Sequence, residues 1–229
     1  MFEITGIHAA SLRYSEHDVL KLERELGARC AVPAEVVNAN QNRRAEWFAA
    51  RVLLTRLIDH LNLSVFLQMN SAFGYPELYF LSDQSPASFV VSWSHTGDTL
   101  VLLGSTASVG VDIERFDRNV DKVLDRVCAP GEWERFAASP PRVNGRAVSP
   151  GVALWCAKEA VAKACGLGMR WGLKNFELLP RDGELWPVRI HKPGPRVLQD
   201  PAVRFESREG CLMALCSERA QLLQPLSWS

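Results

Sequence analysis

Two strong helical patterns, each accompanied by short apolar runs that close in hairpin-type turns, predict a mixed fold of helices packed on antiparallel strands. The first helical pattern runs from about Asn42 to His60 and the second from about Val152 to Cys165. A third observation is the recurrence of the order. After the strand-like run at Val109–Glu114 the pattern begins again, which predicts a coarse duplication without obvious sequence repeat. The boundary falls near Ala107, dividing the chain into residues 1–107 and 108–229.

Each element has its own signal. Residues 16–27 alternate charged and apolar positions at helical spacing and stop at Gly27, which predicts a short surface helix. Over 42–60, Ala50, Leu54, Leu57, Ile58 and Leu61 make one apolar face, while Arg44 and Arg51, seven apart, share another. Strands are expected at Val65–Gln68 and Leu78–Leu81 around the turn Phe73-Gly74-Tyr75-Pro76. A hairpin is expected from Phe89–Trp93 and Leu100–Gly104 around Thr96-Gly97-Asp98. In the second half, helices near 120–127 and 131–138 precede a loop rich in Pro, Gly and Arg from Ser139 to Pro150. Beyond the helix at 152–165, strands are expected at 175–179, 186–191, 202–207 and 211–216. The last two are joined by Ser207-Arg208-Glu209-Gly210, a good hairpin turn. The tail after Glu218 has no regular signal.

Composition narrows the function classes. The 26 basic and 26 acidic residues cancel, so no global field recruits nucleic acid or an anionic membrane, and any anion site must be built locally. Hydrophobic residues, 47% of the chain, suffice for a packed core rather than extensive disorder. The first residues, Met1 to Arg13, do not read as a signal peptide, and no apolar run reaches the roughly 18 residues of a membrane span. The six cysteines (30, 128, 156, 165, 211 and 216) form no C-x-x-C pair and read as reduced packing thiols rather than ligands or disulfides. A cytoplasmic protein is expected.

Three short segments carry chemistry. Asp112 and Glu114 lie two apart in a strand, so both carboxylates point one way, while Val111 and Ile113 face the core. Two hard oxygen donors side by side make half a magnesium site, although a lone D-x-E is more often a solvated strand end. In Trp155-Cys156-Ala157-Lys158-Glu159-Ala160-Val161-Ala162-Lys163, three charges sit on a nearly apolar helix, where buried charges need partners. A solvent ion pair between Glu159 and Lys163 is the plainer account of that spacing. The third segment is Ser94-His95 in Ser92-Trp93-Ser94-His95-Thr96-Gly97, able to donate to a phosphate, although a lone histidine in a turn is more often merely exposed. A Ser–His–Asp hydrolase is set aside, because Ser94 and His95 are adjacent and no G-x-S-x-G elbow exists. Neither G-x-x-x-x-G-K-[ST] nor G-x-G-x-x-G occurs.

Taken together and in order, Ser94-His95-Thr96-Gly97, Gly110-Val111-Asp112-Ile113-Glu114 and the Trp155–Lys163 run resemble the Sfp-type 4′-phosphopantetheinyl transferase superfamily. The likeness extends to Arg43-Arg44-Ala45-Glu46-Trp47-Phe48-Ala49-Ala50-Arg51, to the Phe73-Gly74-Tyr75-Pro76 turn, to Cys128-Ala129-Pro130-Gly131-Glu132 and to Gly166-Leu167-Gly168. It covers roughly Arg43 to Phe176.

The resemblance implies an α+β fold of two pseudo-symmetric halves meeting at a cleft. It implies Mg²⁺ held by Asp112, Glu114 and Glu159, and coenzyme A as substrate. The phosphopantetheine arm would pass to a serine of an acyl or peptidyl carrier protein, releasing 3′,5′-ADP. Lys158 and Lys163 correspond to lysines near the phosphates, Lys163 also serving catalysis, and Ser94 and His95 to a coenzyme-binding pair. Glu159 or Glu132 would be the base. One departure stands out: Tyr75 occupies a position that is often basic in the family. Recognition of the 3′-phosphate would then fall to His95 and to Arg51 or Arg44. A monomer would hold a full site. The alternative is a catalytically weak relative that binds coenzyme A or a carrier protein without efficient turnover.

Overall fold

The computed structural model describes residues 6–69, 75–167, 172–180, 184–220 and 223. In chain order the elements are β1 (Ile7–Arg13), α1 (Val19–Leu26), α2 (Ala34–Val37), α3 (Gln41–His60), β2 (Val65–Met69), β3 (Pro76–Phe80), β4 (Val90–Thr96), β5 (Thr99–Ser105) and β6 (Val109–Arg115). They continue as α4 (Asp121–Val127), α5 (Glu132–Ala138), β7 (Arg142–Val143), β8 (Arg146–Ala147), α6 (Pro150–Ala164), β9 (Phe176–Leu178), β10 (Leu185–Ile190), β11 (Ala202–Arg208) and β12 (Cys211–Ser217). The fold is α+β, with every strand pair antiparallel. Among the described residues no helix is long and apolar enough to cross a membrane.

Two sheets organise the chain. The first has the order β1-β5-β4 and the second β6-β12-β11-β10-β9. Strand parity assigns each face. Leu100 and Leu102 of β5 share a core with Phe48, Leu53, Leu54 and Leu57 of α3, whereas Val101 and Leu103 turn the other way. They meet Val109, Val111 and Ile113 of β6 and Met213 and Leu215 of β12 in a core between the sheets. The other faces of β12 and β11 (Leu212, Ala214, Cys216, Val203) pack on α6. The layers therefore run α3, first sheet, second sheet, α6.

Most expected elements lie where the patterns put them, and the differences have physical reasons. β1 was not expected, since Ala9 and Ala10 are weak strand formers; full seven-residue pairing to β5, with Ala9 buried between the sheets and Ala10 in the core with α3, overrides that propensity. The Ser139–Pro150 segment, read as loop, contains the small β7–β8 hairpin. Its turn is Asn144-Gly145, both with positive φ (50° and 76°), the residue pair that such a turn favours. The expected helix at 16–27 begins with a 3₁₀ turn at Glu16–Asp18. Phe73, Gly74 and Gly168 lie outside the described residues.

Candidate active site

β6 is the edge strand of the second sheet, and side chains rather than a neighbouring strand satisfy its open edge at Val111. Ser92 Oγ accepts from Val111 N at 3.1 Å. Lys163 Nζ donates to Val111 O at 3.0 Å. On the other side α6 approaches β6 at Gly110. A Cβ there would sit 2.0 Å from Ala160 O and 2.5 Å from Ala164 N, so only glycine allows the contact. That approach carries Glu159 and Lys163 to the carboxylates of β6.

Asp112 is the centre. Its Oδ1 accepts from Ser94 Oγ at 2.7 Å and from Lys163 Nζ at 2.8 Å, while Oδ2 is buried without a partner. Glu159 Oε1 is likewise buried and unpartnered. Burial, then the charge of Asp112, push the Glu159 carboxyl above its ordinary range, with Lys163 and Arg118 opposing. Two buried carboxylate oxygens without donors have lost their water and gained nothing in return, which is the environment a hard cation relieves.

Glu114, the third expected ligand, is occupied. Its Oε1 accepts from Arg118 and, at 3.0 Å, from Trp155 Nε1, with the Arg118 guanidinium 5.0 Å from the Trp155 ring centroid. Among the described residues no group of three or more His, Cys, Asp or Glu side chains is gathered to hold a metal ion. The expected three-carboxylate convergence is thus corrected to two free oxygens and a third carboxylate held by an arginine. The donor set fits magnesium, through Asp112 and Glu159.

A cavity of about 580 Å³ opens beside this cluster, with Lys163 and Ser92 in its wall. Arg43, Trp47 and Arg51, one helical turn apart on α3, line a second side, with Trp93, Tyr75 and Arg196 also in the lining. Arg51 stacks between indoles, 4.6 Å from the Trp47 ring centroid and 5.3 Å from that of Trp93, and burial lowers its pKa. Arg44 does not line the cavity: a shift of one residue along a helix turns a side chain by about 100°. Arg43, not singled out as a candidate, points in instead and binds Glu46 at 2.7 Å. His95 is exposed and stands outside the lining, 3.5 Å from Glu46, and the Ser94 hydroxyl is committed to Asp112. Arg196, in the loop after β10, carried no sequence signal beyond being a basic residue in His191-Lys192-Pro193-Gly194-Pro195-Arg196.

Two further expectations fall. Lys158 and Glu132 are both fully buried and pair with each other at 2.6 Å. Lys158 also donates to the carbonyls of Val127, Phe176 and Leu173, and Glu132 accepts from the backbone N–H groups of Ala129 and Leu178. Burial pushes the Lys158 ammonium down, while Glu132 pulls it up. A pair with its hydrogen-bonding capacity filled and no exposed surface can neither grip a phosphate nor take a proton from a substrate, so both are scaffold.

With this geometry in view, comparison with known proteins shows what the chain is similar to. Residues 108–202, which contain β6 and α6, match the sequence model of the 4′-phosphopantetheinyl transferase superfamily, so the resemblance read from the motifs is shown over that segment. Over 138 residues the chain is 34% identical to the 4′-phosphopantetheinyl transferase AcpT of Salmonella typhi, covering 59% of this chain and 65% of that protein. It is 29% identical over 137 residues to the 4′-phosphopantetheinyl transferase psf-1 of Bacillus pumilus, covering 58% and 54%. The chain therefore spans less than two thirds of these relatives' lengths.

Proposed function

We propose that this chain is a magnesium-dependent 4′-phosphopantetheinyl transferase that moves the phosphopantetheine arm of coenzyme A to a serine of an acyl or peptidyl carrier protein. The observation that carries the reading is the pair of orphan buried oxygens, Asp112 Oδ2 and Glu159 Oε1, set with Lys163 beside a cavity walled by guanidinium groups. Residues 1–107 supply the aromatic wall with Arg43 and Arg51, and 108–229 the Asp112 and Glu159 carboxylates, Lys163 and Arg196. One chain thus contributes the whole cavity, and we propose that it acts as a monomer in the cytoplasm.

The carrier serine oxygen attacks the phosphorus that bears pantetheine. A new P–O bond forms, the pyrophosphate bond breaks, and 3′,5′-ADP departs with the electron pair. Glu159, on the cavity side of α6 beside Asp112 and Lys163, takes the serine proton. Lys163, anchored on Asp112 and Val111 O, faces the cavity and offsets charge growing on the leaving phosphate. Ser94 holds Asp112 in place. When bound, magnesium neutralises the pyrophosphate and the transferring group, with Asp112 and Glu159 as its holders and Glu114 available once Arg118 releases it.

The test is mass spectrometry of several apo carrier proteins incubated with the chain, magnesium and coenzyme A. A gain of the phosphopantetheine mass with equimolar 3′,5′-ADP supports the reading. Coenzyme binding with no gain on any carrier points to a binding protein without turnover, and no coenzyme binding overturns the reading.

A further inference from the structure

Tyr75 stands where the resembling family often has a cation, yet the cavity wall at that point is cationic. The Arg196 guanidinium lies 4.3 Å from the Tyr75 ring centroid, and both side chains line the cavity. The two residues come from opposite halves of the chain, 121 positions apart in sequence. Sequence comparison at position 75 alone therefore misses the charge.

The placement is held by close packing. A Cβ on Gly194 would lie 2.7 Å from Leu167 Cδ1 and 2.8 Å from Cys165 O, so the loop presses on the exit of α6. Arg196 N donates to Cys165 O at 3.1 Å, and Pro193 and Pro195 stiffen the backbone on either side of Gly194. The Tyr75 ring in turn lies over Gly166, where a Cβ would stand 3.2 Å from Cε1 and 3.5 Å from Arg196 Cγ. With φ of +69°, Gly166 suits its backbone as well as this contact.

Among the described residues no carboxylate meets Arg196 at ion-pair distance; Glu77, hydrogen-bonded to Tyr75, acts on its charge only from farther off. Its polar side-chain contact is a long one, 3.5 Å, to Pro76 O. The other cations of the cavity are differently placed. Arg43 is neutralised by Glu46, Lys163 is tied to Asp112, and Arg51 sits between two indoles. A planar fork of N–H donors on an aromatic ring, with no carboxylate in contact with the fork, is a receptor for a phosphate monoester.

We propose that Arg196, presented on the Tyr75 ring, is the residue that recognises the 3′-phosphate of coenzyme A in this chain. This rests on the coenzyme reading of the cavity. It assigns discrimination between coenzyme A and its 3′-dephospho form to the second half of the chain, not to His95 or Arg44.

The test is calorimetric titration of the full chain with magnesium, using coenzyme A and 3′-dephospho-coenzyme A, on parent and Arg196→Gln, with thermal melting as the folding control. The expected result is a preference for coenzyme A in the parent. Arg196→Gln weakens coenzyme A about tenfold, the scale of one charge-assisted hydrogen bond, and dephospho-coenzyme A less than twofold. Equal weakening of both ligands, or of neither, overturns the proposal, the former leaving Arg196 as support for the cavity wall. Should the glutamine variant not fold, Arg196→Lys keeps the charge and loses the fork. It is expected to reduce the preference about threefold, and an unchanged preference overturns the proposal. A parent that binds both coenzymes equally overturns this assignment alone. A parent that binds neither overturns the coenzyme reading and this assignment with it.

Discussion

Lys158 and Lys163 lie five residues apart on α6, and each meets a carboxylate at hydrogen-bond distance, yet their surroundings are opposite. Lys158 has no exposed surface, one carboxylate and three carbonyls as acceptors, and a partner, Glu132, whose oxygens are also filled. Lys163 keeps about a quarter of its side chain exposed to the cavity, and its partner Asp112 retains a buried oxygen with no donor. A saturated buried pair fixes a structure. An unsaturated one beside a cavity holds unmet binding capacity, and that is where a ligand gains most. Charge and spacing along the helix do not separate the two; hydrogen-bond accounting does.

The largest expected effect breaks the saturated pair. Lys158→Met leaves Glu132 buried and unpaired, and we expect a loss of about 3–5 kcal/mol in unfolding free energy, read from denaturant midpoints. Lys163→Met should cost clearly less, and equal losses would erase the distinction.

Next is Glu159→Gln, on the unsaturated side. We expect turnover in the carrier-loading assay to fall about 100-fold or more, with the fold retained. The same variant should be more stable than the parent in chelator at neutral pH. Burial and Asp112 raise the Glu159 pKa, so the folded state holds that proton more tightly than the unfolded chain does. The associated stability is full below the unfolded carboxylate pKa and is lost as pH rises through the folded one. The parent carries that loss at neutral pH, and glutamine does not. Melting curves in chelator from acid to neutral pH decide it: a variant less stable than the parent at neutral pH would show Glu159 to be well paired after all.

Lys163→Ala should lower kcat about 10–100-fold while changing coenzyme affinity less, if the ammonium acts mainly on the leaving phosphate. Single-turnover rates with separately titrated coenzyme measure both, and a pure affinity loss would make Lys163 a binding residue only. The smallest effect belongs to Arg118→Ala, which frees Glu114 from its guanidinium partner. The magnesium concentration for half-maximal rate should fall by about threefold, in line with removing one competing cation. An unchanged value would mean that Glu114 does not reach the metal.

The residue pattern by itself determined the α+β class, the two long helices and the hairpins, because periodicities of 3.6 and 2 are set by local backbone geometry. It also placed Asp112 and Glu114 on one side of a strand and set Glu159 and Lys163 apart on an otherwise apolar helix. Only the tertiary structure decided which of these charges remain unmet. Lys158 and Glu132 find each other across 26 residues, Arg118 takes Glu114, and Asp112 and Glu159 keep free oxygens because α6 reaches β6 across Gly110. Arg44 and Arg51 looked equivalent by their seven-residue spacing, and the packing of α3 put Arg43 and Arg51 on the cavity instead. Arg196 was not legible at all. Its role depends on a loop of the second half lying against a tyrosine of the first, a contact between distant segments that no local pattern encodes.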